Sequence, residues 1–289
     1  MNAAPTMPGS AAAAPGGWKA RLELDFRQIA GRTRLVHRRH VGPLHVQRPF
    51  HPEPSPGGAA HVYLLHPPGG LVGGDSLSIR ARALEGAEVL LTTPAATKFY
   101  RSAGDLAAQR VALEVGEDAA VEWLPQETIV FGGARGQTQL RVDVARGGKF
   151  LGWELCCLGR PASGDSFDSG SYGQRLEIHA NGRPVCVERA HFSSRSPVTT
   201  ERFGLAGCPV FGTLIALTDR EDLAAAVRAV LPPPRSGSLF GVTVRRGALV
   251  CRYLGDSVAR AREGFIRVWT VLRVALLGRP VVLPRIWAT

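Results

Sequence analysis

The sequence predicts a mainly β protein in which strands stack as a layered body, and three observations support this prediction. Apolar and polar residues alternate in several separate segments, which is the period-two pattern of a half-buried strand. Turn sequences rich in Gly and Pro separate these segments at short intervals. Helical periodicity occurs only twice, both times in the C-terminal third. This order of elements argues against a fold of alternating strands and helices.

The clearest predicted strand runs from residue 18 to residue 27. Apolar side chains occupy every even position in this stretch: Trp18, Ala20, Leu22, Leu24 and Phe26. Polar residues fill the odd positions, so one face of the strand is expected to be buried. The same alternation predicts strands within residues 77–83, 111–115 and 140–144.

Two hairpins are predicted from their turns. Residues 176–188 contain Asn181-Gly182 between two alternating segments, and this dipeptide supplies the positive φ angles of a type I′ turn. Residues 242–253 repeat the arrangement around Arg246-Gly247.

Two helices are predicted to cover the β body. Thr218 and Glu221 have the spacing of a capping box ahead of an apolar stripe that stops at three consecutive prolines, 232–234. The second helix is expected to begin near Asp256 or Ser257 and to end at Gly278.

Length and composition indicate one globular domain over residues 18–289, preceded by a flexible tail over residues 1–17. The five cysteines are odd in number and include no C-x-x-C pair, which favours reduced thiols over disulfides or a zinc site. The N-terminus lacks the pattern of a signal peptide, and no apolar stretch is long enough for a membrane span. We therefore expect a cytoplasmic protein without a membrane partner.

The net charge of +11 allows two interpretations. It either reflects a composition rich in Arg, Ala, Gly and Pro, or it marks a nucleic-acid or polyanion-binding β-domain. The arginines are scattered and the four tyrosines do not interleave with them, so the sequence favours the first interpretation. Polyanion binding stays as the alternative function.

A glycine-rich loop, HPPGGLVGGDS at residues 66–76, resembles a phosphate-binding loop with one substitution. Asp75 stands where that loop needs lysine, and a strand pattern follows where a helix is required. The four loop glycines are Gly69, Gly70, Gly73 and Gly74. Two readings remain open: a turn in which Asp75 caps its own backbone, or a loop that offers a carboxylate to a cation.

Three further stretches combine polar residues with strand ends. TTPAATKFYRS at 92–102 places Thr97 beside Lys98 and Arg101, and LPQETIVFGGA at 124–134 follows with Glu127 in a turn. WELCCLGRPASGDSF at 153–167 contains Glu154, Arg160 and Asp165.

Glu154 and Glu188 stand among apolar neighbours, where an unpaired charge is costly, so each needs an arginine, a cation or a water channel. The sequence contains neither G-x-S-x-G nor H-E-x-x-H, and no catalytic triad can be proposed. We therefore expect a protein that is not an enzyme.

Taken in order, HPPGGLVGGD, TTPAATKFYRS, LPQETIVF and LGRPASGDSF resemble the signature blocks of the urease accessory protein D family, called UreD or UreH. The similarity extends from about Trp18 to the end of the second predicted helix. The resemblance implies a layered or helix-like stack of strands with two helices. It also implies a chaperone for nickel insertion that binds urease apoprotein and accessory protein F, through which the GTPase accessory protein G is recruited.

The resemblance further implies a water-filled internal passage for Ni²⁺, which would be bound only transiently, with no permanent cofactor. By motif match, its lining would include Asp75, Thr97, Glu154 and Glu188, with Asp165 where the family usually has Glu. The competing reading is that these acids are structural and paired with cations. Three residues are the natural partners by position: Lys98, Arg101 and Arg160.

Overall fold

A computed structural model describes residues 17–54 and 58–288, and in it two β-sheets face each other. Strands are numbered β1 to β17 along the chain. The first sheet contains β1 (Lys19–Ile29), β2 (Arg32–Val41), β5 (Ser76–Ala83), β8 (Ala107–Val115), β11 (Arg135–Val144), β13 (Ser171–Ala180) and β14 (Arg183–Ser193). The second contains β3 (His45–Val46), β4 (Ala60–Leu65), β6 (Glu88–Thr92), β7 (Thr97–Phe99), β9 (Ala120–Trp123), β10 (Thr128–Val130), β12 (Lys149–Leu158), β15 (Val210–Leu217), β16 (Leu239–Arg245) and β17 (Ala248–Gly255).

The chain winds between the two sheets, and this path explains how parallel strands form without helical crossovers. Strands β1, β5, β8, β11 and β13 run parallel in the first sheet, while β4, β6, β9 and β12 run parallel in the second. Each coil of the chain contributes one strand to each sheet. The edges are antiparallel, formed by β2 and β14 in one sheet and by β15, β17 and β16 in the other. The predicted mainly β stack of strands is confirmed.

Apolar alternation positions the core because neighbouring strands stay in register. Leu22 and Leu24 of β1 lie beside Ile79 and Ala81 of β5, and all four side chains are buried. In-register stacking therefore places the apolar face of each coil on the same side. Trp18 does not share this face: it precedes β1, and 59% of its surface is exposed.

Both predicted hairpins are present. Asn181 and Gly182 join β13 to β14 with φ angles of 50° and 73°. Arg246 and Gly247 join β16 to β17 with φ angles of 51° and 85°. Positive φ at both central residues is the backbone that a type I′ turn requires.

Helices cover the second sheet late in the chain. The two predicted helices are α2 (Asp222–Val230) and α3 (Val258–Leu277), and a four-residue helix, α1 (Pro197–Thr200), was not predicted. Ser257 caps α3 by accepting a hydrogen bond from the Arg260 N–H at 3.2 Å, and Gly278 ends it with a φ of 70°.

The capping-box prediction for α2 is wrong. The Thr218 hydroxyl accepts from the Arg220 N–H at 3.2 Å, and this bond closes a turn before the helix. Glu221 already has helical backbone angles and makes no side-chain capping bond. The local Thr turn competes with the capping arrangement that the spacing suggested.

The sheets bury two apolar clusters. One lies between the two sheets, and the other lies between the second sheet and the helices α2 and α3. All five cysteines are free, and Cys156, Cys157 and Cys251 are buried, as expected for reduced thiols. The flexible tail predicted for residues 1–17 lies, apart from residue 17, outside the described residues. Among the described helices, none is both long and apolar enough to cross a membrane.

Candidate functional site

The four sequence blocks lie side by side at one corner of the stack. Leu71 of the glycine-rich loop forms a parallel bridge to Phe99 at the end of β7. Strand β7 pairs with β10, and β10 pairs with the last three residues of β12. Segments that are some 30 residues apart in sequence therefore occupy successive coils at the same place.

Asp75 caps the glycine-rich loop. One carboxylate oxygen accepts from the Trp18 N–H and the other from the Val72 N–H, both at 2.8 Å. Close packing explains Gly70 of this loop, since a Cβ there would lie 2.3 Å from the Tyr100 ring. The geometry is that of a loop closed by its own acid, which is one of the two readings left open by the sequence.

A small cavity lies next to this loop. Its volume is about 70 Å³, and its lining includes His66, Gly69 and Thr97. Burial lowers the pKa of His66, although the nearby charge of Asp75 opposes this effect. The lowered pKa favours the neutral imidazole, in which one ring nitrogen can accept a hydrogen bond.

A row of polar side chains leads from this cavity towards the interior. Thr97, Thr128 and Cys156 are aligned in register across β7, β10 and β12. Further in, the hydroxyl groups of Thr138 and Tyr172 are 2.6 Å apart. Burial raises the pKa of both Cys156 and Tyr172 well above their usual values, so both stay protonated at neutral pH. This part of the row is polar but uncharged.

Glu154 is the charged group that follows. It lies close enough to Cys156 and Tyr172 for its charge to raise the pKa of both. Its carboxylate accepts a hydrogen bond from the Trp123 indole N–H at 2.7 Å and has no cationic partner among the described residues. Burial raises the pKa of Glu154 to about 7.

A second cavity, of about 10 Å³, has Glu154 and Thr213 as the polar residues of a lining that is otherwise apolar. This is room for about one water molecule. Glu154 is therefore a largely buried carboxylate that has no cationic partner within the part of the chain that the structure describes and borders a small cavity, whereas the buried Asp75 is held by two backbone N–H groups.

The row then crosses the second sheet to the surface. Glu154, Thr213 and Arg252 are register neighbours on β12, β15 and β17. Arg252 forms an ion pair with Glu188 on β14 of the opposite sheet, with one of its N–H groups 3.2 Å from the second carboxylate oxygen. We call these residues the polar track: Thr97, Thr128, Cys156, Thr138, Tyr172, Glu154, Thr213, Arg252 and Glu188.

The remaining predicted residues lie outside the polar track. Asp165 is paired with Arg160 at 3.2 Å on the outer side of the corner, where the Arg160 guanidinium stacks over the Phe131 ring. Lys98 and Arg101 form no ion pair within residues 17–54 and 58–288. Of the three proposed cationic partners, one therefore contacts an acid of the predicted set.

Sequence reasoning missed several members of the track, and it also missed Trp123, the hydrogen-bond donor to Glu154. Thr138, Tyr172, Thr213 and Arg252 lie outside the four sequence blocks, and only the folding of the strands brings them to the other members of the track. Thr128 lay inside a quoted block, and its position one coil after Thr97 is the signal that could have identified it. No cluster of three His, Cys, Asp or Glu side chains that could hold a metal ion occurs in the described part of the chain.

A second buried charge cluster, also missed, lies on the other face of the second sheet. Arg273 of α3 donates to both carboxylate oxygens of Glu122 at 3.0 Å and pairs with Glu53. Glu53 also accepts from His61 at 2.9 Å, and Glu122 accepts from the Trp269 indole at 2.5 Å. We call these residues the Arg273 cluster, which holds α3 on the sheet.

Comparisons with known proteins agree with the resemblance of the four blocks. The family model described as UreD urease accessory protein matches residues 19–288. Urease accessory protein UreD from Dechloromonas aromatica is 43% identical over 277 residues, covering 94% of this chain and 95% of that protein. The UreD protein of Azoarcus sp. strain BH72 is 42% identical over 289 residues, covering 100% of both chains. The UreD protein of Chromohalobacter salexigens is 46% identical over 282 residues, covering 94% and 89%. The chain therefore belongs to the UreD urease accessory protein family.

Proposed function

We propose that this protein is a non-enzymatic scaffold that guides Ni²⁺ along the polar track into urease apoprotein. The observation that carries the proposal is Glu154, a carboxylate beside a water-sized cavity in the sheet interior, with an indole N–H and no cation as its partner. An unpaired acid in this place is costly to keep, and a passing divalent cation would give it a partner.

The chemistry of the track suits transfer better than storage. Thr128, Thr138 and Tyr172 offer hydroxyl oxygens, which bind a borderline cation such as Ni²⁺ weakly. A thiolate would bind nickel tightly, but the raised pKa of Cys156 keeps that thiol protonated. Weak successive ligands let an ion enter and leave, which conduction requires.

The two cavities, about 70 Å³ and 10 Å³, have separate linings. A hydrated ion therefore needs side-chain movement between Thr97 and Glu154. We assign this opening to the assembled complex in the cytoplasm, where accessory protein F and, through it, the GTPase accessory protein G would deliver nickel at one end. Urease apoprotein would then receive nickel at the other end. The relatives' shared name, urease accessory protein, supports such an assembly.

The test compares Glu154→Gln with the wild-type protein in reconstituted urease activation. Gln keeps the size of the side chain and a hydrogen-bond acceptor for Trp123 but loses the charge. We expect nickel per urease active site to fall about tenfold, the loss expected when one ionic contact of about 1.4 kcal/mol is removed. The variant should still co-purify with F, G and apo-urease. Normal nickel loading by an intact complex would reject the proposal.

Polyanion binding is the rival function, and salt dependence separates the two. A nucleic-acid-binding protein should bind a DNA duplex with an affinity that falls steeply as salt rises, without any urease subunit. The nickel scaffold needs its partner proteins for any measurable effect. We favour the scaffold because the family relatives are accessory proteins of urease.

A further inference from the structure

A basic surface lies on the outer face of the first sheet, on the side away from the polar track. Arg110, Gln139, Arg175 and Arg189 are register neighbours across β8, β11, β13 and β14. Adjacent strands are about 4.8 Å apart, so this row spans about 14 Å. Arg189 has 67% of its side chain exposed and Arg175 has 38%.

The adjacent row of residues, nearer to the N-terminal ends of β11 and β13, forms a cleft. Gln137, Gly173 and His191 are neighbours in this row, and the missing side chain of Gly173 leaves a notch between the other two. The cleft has a volume of about 470 Å³, and Arg135, Arg175 and Arg189 contribute to its lining.

The charge of this cleft is only partly neutralised, since three arginines line it and two of them share one carboxylate. Its lining contains no Asp or Glu, and the nearest carboxylate in register is Glu177, one row further along β13. Glu177 pairs with both Arg175 and Arg189 through one oxygen, which holds the two guanidinium groups in place. Each guanidinium has five N–H donors, so both retain donors for a ligand. Arg110 reaches only the Ser76 hydroxyl, at 3.4 Å.

The four acids on the other strands of this face already have cationic partners. Glu23, Asp25, Glu114 and Asp143 are each paired with an arginine of the same face. Within the described residues, excess positive charge on this face therefore lies at the cleft and, at the far edge of the sheet, on Arg27, Arg34 and Arg39 of β1 and β2; the cleft differs from that edge in having a concave shape. The two rows contain no Phe, Tyr or Trp, the side chains that form most stacking platforms for nucleic-acid bases, so the chemistry fits carboxylates better than nucleotides.

We propose that this cleft and its basic row, which we call the basic cleft, form a docking site for an acidic segment of a partner protein. Planar guanidinium groups in a row bind carboxylates in two-pronged fashion, and the amides of Gln137 and Gln139 can donate further hydrogen bonds. The inference does not depend on nickel transfer, since none of these residues belongs to the polar track.

The test uses fluorescein-labelled hexaglutamate and fluorescence anisotropy at low salt. Arg110→Gln/Arg189→Gln removes two charges and leaves the Arg175–Glu177 pair in place. We expect about tenfold weaker binding, because two exposed ion pairs are lost. The matched control is Arg245→Gln/Arg246→Gln in the exposed hairpin of the other sheet, which removes the same charge and should change the affinity less than about twofold.

Gly173→Val tests the cleft itself without changing the charge. A Cβ at Gly173 would lie 3.6 Å from Gln137 and 3.9 Å from His191, so added atoms fill the notch without a clash at Cβ. Valine also suits a strand, and the thermal unfolding midpoint should stay at or above that of the wild type. We expect this variant to bind hexaglutamate several-fold more weakly, in line with loss of a shaped contact.

Three results would overturn the proposal. The first is no binding of hexaglutamate by the wild-type protein. The second is equal weakening by the Arg110/Arg189 and Arg245/Arg246 variants, which would indicate attraction to net charge alone. The third is a single-stranded DNA hexamer that binds at least as tightly and responds to the same variants, which would assign the surface to polyanions.

Discussion

Two buried glutamates on neighbouring strands of the second sheet have opposite surroundings. Glu122 on β9 faces α3, where it accepts from the Trp269 indole and from Arg273. Glu154 on β12 faces the first sheet, where it accepts from the Trp123 indole and has no arginine. Each carboxylate therefore accepts a hydrogen bond from one indole N–H, and in the described structure only Glu122 also has a cationic partner.

The two sites differ in whether an arginine partners the carboxylate, and we infer a structural role for Glu122 and a functional role for Glu154. Burial raises the pKa of both acids, but at Glu122 the charge of Arg273 opposes the rise. The Arg273 cluster is closed, because its carboxylates already have a cation. Glu154 keeps an unmet capacity for a cation or a proton. Glu154 is thus a functional candidate because it is buried without a cationic partner among the residues that the structure describes.

The largest expected effect is on stability and concerns the closed cluster. Arg273→Met leaves Glu122 and Glu53 buried without their cation, and we expect the free energy of unfolding to fall by about 3–5 kcal/mol. Urea denaturation of the purified protein measures this loss.

Arg267→Met on the same helix is the control for Arg273→Met. Arg267 is exposed and pairs with Glu263 one turn away, so its loss should cost about 0.5 kcal/mol or less. Equal losses in the two variants would show that the cluster does not hold α3 on the sheet.

The next largest expected effect is the pH dependence of stability that Glu154 causes. The pKa of Glu154 is about 7 in the folded protein against 4.5 for an unperturbed group, so the folded state binds more protons between these values. Stability contributed by this group is therefore lost as pH rises from 4.5 to 7, by up to about 3 kcal/mol.

Glu154→Gln removes this dependence because the amide does not titrate. The difference in unfolding free energy between variant and wild type should grow in favour of the variant from pH 4.5 to 8. Urea unfolding at several pH values measures it. A constant difference across this range would mean that Glu154 is not desolvated as the structure indicates.

Much of the fold could be predicted because strands and turns depend on residues that are close together in sequence. The alternation in β1 and the turns at Asn181-Gly182 and Arg246-Gly247 depend on nearest neighbours, and the structure has them where the sequence placed them. The capping of α2 failed because a local Thr218 turn competes with it. The layered or helix-like stack was implied by the family resemblance, and the parallel pairing between coils was not predicted, since alternation does not specify which strands become neighbours.

The candidate site was only partly predictable for the same reason. Glu154 and Glu188 were conspicuous as acids among apolar residues, yet their surroundings depend on residues 31 and 64 positions away in sequence, Trp123 and Arg252. Asp75 and Asp165 were grouped with them only through the family resemblance. The structure gives Asp75 two backbone donors and Asp165 an exposed arginine.

Glu188→Gln is expected to have a smaller effect than the preceding variants. It breaks the ion pair with Arg252, of which both side chains are partly exposed, so stability should fall by about 1 kcal/mol or less. If the track conducts Ni²⁺, nickel transfer should fall less than in Glu154→Gln, because water can replace an exposed ligand. Urea unfolding and nickel analysis of matured urease report the two effects separately. A larger transfer defect than in Glu154→Gln would move the critical site to the surface end.

The smallest effect is predicted for Asp165→Asn. This acid pairs with Arg160 outside the polar track, and exposed pairs contribute about 0–1 kcal/mol. Urease activation by the variant should match the wild type within error. A clear loss of activation would place Asp165 in the nickel route or at a partner interface.

The most direct test of the account pairs the two buried glutamates in one measurement. Nickel per urease active site is determined after maturation with Glu154→Gln or with Glu122→Gln, each normalised to the amount of intact accessory complex. The account predicts about a tenfold loss for Glu154→Gln, because the ion loses its charged contact in the track. It predicts near-normal loading for Glu122→Gln, which should lower only the stability. Normal loading with Glu154→Gln, or the same loss in both variants, would contradict it.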